Sequence, residues 1–160
     1  MPTYATIGHQ EITLQVQEDF SEAVDSWELA HFLYLLRAAY GRALELGLHD
    51  PDDVVRDEFY LSDQFKKPFY SPTLASTKVA ELFSADLGDD ELRFRRISYS
   101  SPLEITCICL ASALTLAVIL SGGKAGFMGF RFTLPPLGTG IKSLRDAFGL
   151  SMATRRRPLK

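Results

Sequence analysis

Between Ile105 and Gly123 the chain runs for 19 residues without a charged side chain, and no other feature limits its folding so tightly. Within Ile105–Leu120, 13 of 16 residues are apolar. The exceptions, Thr106, Ser112 and Thr115, mark no coherent polar face of a helix. A helix that is apolar all round has two stable environments, the centre of a protein and the interior of a bilayer. Read as one helix over 102–120, the segment is about 30 Å long, the thickness of a hydrocarbon core. Read as core, it needs cover on every side from a chain of 160 residues.

The neighbouring sequence supplies a start for such a helix. Ser101-Pro102-Leu103-Glu104 has the form of a capping box. Ser101 stands at the N-cap, Pro102 at the first helical position and Glu104 at the third. Gly122-Gly123 would end the helix. The strands expected on either side, 92–99 and 127–134, are spaced for one β-α-β crossover. In the first, Leu92 and Phe94 alternate with Arg93 and Arg95, while Ile97 and Tyr99 fall on the other parity, which predicts a bulge near Arg95-Arg96. In the second, Met128, Phe130, Phe132 and Leu134 share one face and Gly129, Arg131 and Thr133 the other. One wet face argues against a sheet covered on both sides.

The N-terminal part alternates helices with one strand. Ile12, Leu14 and Val16 have period 2, with Gly8-His9-Gln10 as a turn before them. A broad apolar stripe at helical spacing runs over 21–46 and stops at Gly47. Asp50-Pro51 and Ser71-Pro72 each open a further helix. A short last helix is expected over 140–149. Residues 151–160, with Arg155-Arg156-Arg157, read as a disordered basic tail. The fold class is therefore α+β: one two-layer domain over 1–150, made of a small sheet, a long amphipathic helix and one highly apolar helix.

Charge is unevenly placed. Residues 1–91 hold 6 Lys/Arg against 18 Asp/Glu, and residues 92–160 hold 11 against 2. The two parts either dock on each other or meet different partners. The first ten residues are neither basic nor apolar enough for a signal peptide, and residence on the cytoplasmic side is therefore expected. If the apolar segment spans, the arginines before it keep the acidic part inside, at the inner membrane.

The stretch Arg96-Ile97-Ser98-Tyr99-Ser100-Ser101-Pro102-Leu103-Glu104-Ile105 resembles a junction found in a group of small bacterial proteins. There an Ile-x-Tyr-x-Ser-Pro-Leu-Glu strand-to-helix turn precedes an apolar stretch, often one expected to cross the membrane. The resemblance implies a membrane association. It brings no catalytic residues with it.

No catalytic constellation emerges from spacing. His9, His31 and His49 are far apart, and no His/Cys/Asp/Glu spacing suits a metal. Cys107 and Cys109, on different faces of a helix, read as buried, inert thiols. Asp86, Asp89, Asp90 and Glu91 lack the ligand spacing of a calcium loop. Gly122-Gly123-Lys124 follows a helix and is followed by Ala125, so it is no phosphate loop. Gly138-Thr139-Gly140 follows a strand and opens a helix bearing Lys142 and Arg145, a weak candidate for holding an anion. Catalytic residues, cofactors and metals are not expected. The leading expectation is a non-enzymatic, membrane-associated bacterial protein presenting an acidic cytoplasmic surface to a protein partner. Its alternative is a soluble interaction or assembly module with the apolar helix as core. A protein partner is expected in both, and nucleic acid is disfavoured.

Overall fold

The structure, a computed structural model, describes residues 9–17, 25–48, 50–70, 72–99, 103–125 and 131–150. The expected tail 151–160, the cap residues Ser101 and Pro102, and His49 lie outside the described residues.

Strand β1 (His9–Val16) alternates as its sequence dictates. Ile12, Leu14 and Val16 are fully buried, and Glu11, Thr13 and Gln15 face the other way. His9 and Gln10 belong to this strand and form no turn before it. Helix α1 (Ser26–Glu45) opens at Asp25, whose carboxylate accepts from the Trp27 N–H at 2.9 Å. Its buried stripe includes Leu29, Phe32, Leu36, Ala39, Tyr40 and Ala43, one face at helical spacing. Helix α2 (Pro51–Arg56) starts as expected, with Asp50 capping the Asp52 N–H and Pro51 at the first position. The chain breaks at Asp57, resumes as α3 (Glu58–Lys66), and continues into α4 (Pro72–Ser84).

Strand β2 (Arg93–Ser98) pairs antiparallel with β3 (Leu103–Leu110), and its register shifts between Phe94 and Arg96, the expected bulge. Helix α5 (Ala111–Leu120), the two-residue β4 (Lys124–Ala125), β5 (Arg131–Leu134) and α6 (Leu137–Ala147) complete the α+β fold. The sheet order is β2-β3-β1-β5-β4, with β1 antiparallel to β3 and parallel to β5. Phe132 and Leu134 face the core, and Arg131 and Thr133 turn away, as the alternation required.

Two expectations are corrected here. The helix expected over 102–120 does not form as one element. Residues 103–110 alternate strictly between buried and half-buried, with Leu103, Ile105, Cys107 and Cys109 inward. Glu104, Thr106 and Ile108 point out, which a strand permits and a buried helix would not. Glu104 is therefore the second residue of a strand and not part of a capping box. Strands 92–99 and 127–134 are accordingly not joined by a single crossover helix: β2 and β3 form an antiparallel pair, and β5 pairs with β1.

The second correction concerns the membrane. Helix α5 has 10 residues and is about 15 Å long, half the span of a bilayer core. Among the described residues no helix is long and apolar enough to cross a membrane. The expectation of a transmembrane helix over 102–120, on which the membrane-associated reading rested, is overturned. Every residue from Ala111 to Val118 is buried, packed between the sheet, α1, α2 and α3. At its end Gly123 lies so close to β5 that a Cβ there would run into the Thr133 carbonyl.

The junction of β3 and α5 is held from outside. The Tyr40 hydroxyl donates to the Asp90 carbonyl at 2.6 Å and accepts from the Leu110 N–H at 2.9 Å. Burial pushes the Tyr40 phenol well above its usual value. Tyr40→Phe leaves both backbone groups without their partner and should lower stability by about 1–3 kcal/mol. The folded state favours the protonated phenol. Its contribution is complete below the ordinary phenol value of about 10 and is lost as the pH rises beyond it. Denaturant unfolding from pH 8 to about 11 should therefore show a steeper alkaline loss in the wild type than in Tyr40→Phe. Parallel profiles would remove Tyr40 from this role.

Candidate functional site

Among the described residues, the helices that cover the sheet lie on one side of it. The strand pairings place Glu11, Thr13 and Gln15 of β1 on the opposite face, with Glu104, Thr106 and Ile108 of β3. Arg131 and Thr133 of β5 join them, as do Arg93, Arg96 and Ser98 of β2 and Lys124 of β4. Each of these side chains is partly or wholly exposed. The β2 bulge adds one more: Arg95 reaches across β3 to Glu11 at 3.7 Å.

The middle of this face is a polar ladder. The Gln15 amide donates to Glu104 at 2.7 Å, and Arg131 stands 3.6 Å from the same carboxylate. The Thr13 and Thr106 hydroxyls meet at 3.5 Å. Both carboxylates of the face, Glu11 and Glu104, are thus matched by one arginine each. Arg93, Arg96 and Lys124 have no ion pair among the described residues. The result is a surface that no described helix covers, with unmatched positive charge at both edges and hydroxyl and amide groups between them. Exposed pairs of this kind contribute little to stability, so the arginines do not hold the fold.

The acidic turn before β2 is a clasp. Arg37 of α1 donates twice to Glu91, at 2.7 and 2.8 Å, and to the carbonyls of Leu82, Phe83 and Ala85. His9 meets the Asp90 carboxylate and the Asp89 carbonyl, each at 3.0 Å. Asp86 caps the Gly88 N–H.

Other residues singled out in the sequence do not come together. Gly140 is buried in the first turns of α6, where a Cβ would stand 2.6 Å from the Phe32 ring. Packing alone accounts for that glycine. A Cβ on Gly138 would stand 3.3 Å from a carboxylate oxygen of Glu28, so an acid of the chain itself lies beside the start of α6. Lys142 faces solvent and pairs with Asp146, one turn on, at 3.9 Å. Arg145 stands near His31, which stacks on Trp27 at 5.2 Å. Burial, and then the Arg145 charge, lowers the His31 pKa. Cys107 and Cys109 share the inward face of β3, because residues two apart in a strand point the same way. The hydrogen bond with the Cys107 thiol, then burial, pushes the Cys109 thiol far up, away from thiolate chemistry. Among the described residues no group of His, Cys, Asp and Glu could hold a metal ion.

The basic face escaped the sequence reading because β3, the strand that joins β2 to β1, lies in a stretch that reads as helix. Its signal was the outward series Glu104, Thr106, Ile108, hidden inside a segment that reads as apolar helix. Comparison with protein-family models, with curated proteins and with solved structures finds no match in any of the three.

Clasp and face should respond oppositely to mutation. Arg37→Ala strands the Glu91 carboxylate and three carbonyls and should lower stability by about 3 kcal/mol. Arg93→Ser with Arg96→Ser should leave the unfolding midpoint essentially in place. A large loss from the second pair would make those arginines part of the fold and not of a surface kept for binding.

Proposed function

We propose that this chain is a protein-interaction module that takes an acidic protein surface across the uncovered face of its sheet. The observation that carries the reading is the unmatched charge of Arg93 and Arg96 on a sheet face furnished with hydroxyl and amide groups. Arginine in this setting pairs with carboxylates through two parallel hydrogen bonds. The apolar helix belongs to the core that supports this face.

Single-stranded nucleic acid fits the face less well. Such ligands are held by aromatic rings on the sheet surface, on which bases stack. No aromatic residue among the described ones points from a strand onto this face: Phe94 pairs with Cys107 and turns to the other side. The histidines and thiols of the described residues are engaged in hydrogen bonds and packing, so the reading is one of binding.

A fluorescent oligoglutamate peptide and an oligothymidylate of equal charge, titrated in parallel, test it. The peptide should bind the full chain more tightly than the oligonucleotide. Arg93→Glu with Arg96→Glu should weaken the peptide at least about tenfold. Tighter binding of the oligonucleotide would favour a nucleic-acid partner. Peptide binding that survives the double reversal would place the interaction elsewhere.

A further inference from the structure

We infer that the acidic surface received by the sheet is the α2–α3 surface of a second copy of this chain, so that copies join head to tail. The inference rests on the reading above and names its partner.

Phe59 is the starting point. At the head of α3 it is 89% exposed, and Tyr60 beside it is 65% exposed. Two adjacent large rings so open to water offer apolar surface that a protein contact would cover. Asp57 and Glu58 precede them directly in the chain and Asp52 lies on the neighbouring α2, all exposed and without an ion pair among the described residues. Asp53 alone is matched, by Arg56. Carboxylates interleaved with open aromatic rings suit arginine, whose guanidinium pairs with the acid at its edge and stacks on the ring with its face. Tyrosine, phenylalanine and arginine are also the side chains enriched at protein interfaces. The unmatched arginines of the described residues on the sheet, Arg93 and Arg96, have that chemistry.

The geometry keeps the two surfaces apart within one chain. Helices α2 and α3 pack on α5 and border β4: Val55 and Glu58 share an open depression with Lys124 and Ala125. Strand β2, with Arg93 and Arg96, is the other edge of the sheet. Four inter-strand steps separate the edges, about 19 Å. Among the ion pairs of the described residues, Glu11–Arg95 alone joins the acidic residues 1–91 to the basic residues 92–150. The acids nearest β2 are already taken, Glu91 by Arg37 and Asp90 by His9. The molecule therefore has one end with exposed acids and aromatic rings, beside which Lys124 also stands, and another with the arginines. Opposite, complementary ends make a heterologous contact, which repeats from copy to copy.

Sedimentation velocity of the full chain tests this. In about 50 mM salt the wild type should sediment as oligomers that grow with concentration, and in about 0.5 M salt they should dissociate. Arg93→Glu with Arg96→Glu blocks one end. Asp57→Lys with Glu58→Lys blocks the other. Each double variant alone should be monomeric, and far-UV circular dichroism should show both folded. Mixed in equal amounts, they should form a dimer and nothing larger, since each supplies the one end the other lacks. Oligomers that persist in either variant alone, or a mixture that stays monomeric, would overturn the inference. A wild type that is monomeric in low salt would also overturn it. If that wild type still binds oligoglutamate through Arg93 and Arg96, the second copy is excluded as partner while the acidic-surface reading stands. If it does not, both fall together.

Discussion

A helix without a polar face has to be covered on every side, and the arrangement of this molecule follows from that one requirement. Residues Ala111 to Val118 of α5 are buried whichever way they point. The sheet, α1, α2 and α3 all pack against it. Each large apolar side chain so enclosed contributes about 1.5–3 kcal/mol relative to exposure. Leu114 and Leu116 gain this fully only if all the covers are present. The few polar groups are satisfied locally: Thr115 donates to the Ala111 carbonyl at 2.7 Å and Ser121 to that of Val118 at 2.6 Å. The function proposed is a consequence of the same packing. With the described helices committed to one side of the sheet, the opposite face is left to water, and its alternate residues become free to be charged.

The start of α5 shows how local and distant forces combine. Leu110 has no side chain with which to cap a helix, and nothing in its vicinity does so. Its N–H is held instead by Tyr40, a residue 70 positions earlier, which also secures the turn before β2. Arg37, one turn before Tyr40 on α1, fixes the same turn through Glu91. Helix α1 thus ties together the end of β3, the start of α5 and the approach to β2. The edge strand that carries Arg93 and Arg96 is positioned from the core side by this clasp, which leaves its outward side chains unconstrained.

Much of the fold was legible because it depends on local chemistry. The alternation of Ile12, Leu14 and Val16, the Asp50-Pro51 helix start, the stripe of α1 and the bulge at Arg95 are each written in a few consecutive residues. The segment 103–120 was misread for a physical reason. Absence of charge is compatible with helix and strand alike, and Ser-Pro-Leu-Glu satisfies the pattern of a helix start while lying at the entry to a strand. The β-branched Ile105, Thr106 and Ile108, and the phase shared by Glu104 and Thr106, carried the correct period but were outweighed by length. The charge imbalance between the two parts of the chain was equally plain in the sequence. That Arg93 and Arg96 lie at the edge of the sheet opposite to the one bordered by α2 and α3 was not, because it depends on the order β2-β3-β1-β5-β4, which only long-range pairing decides.

The claim on which all of this stands is that the apolar segment changes from strand to buried helix at Leu110–Ala111. Backbone carbon chemical shifts measure it directly. In the isotopically labelled full chain, the Cα and Cβ shifts should be those of extended backbone from Leu103 to Leu110 and of helix from Ala111 to Leu120. A nuclear Overhauser contact between Thr13 and Thr106 should place the first part inside the sheet. Helical shifts running unbroken from 103 to 120 would contradict the account, and with it the uncovered face built on β3.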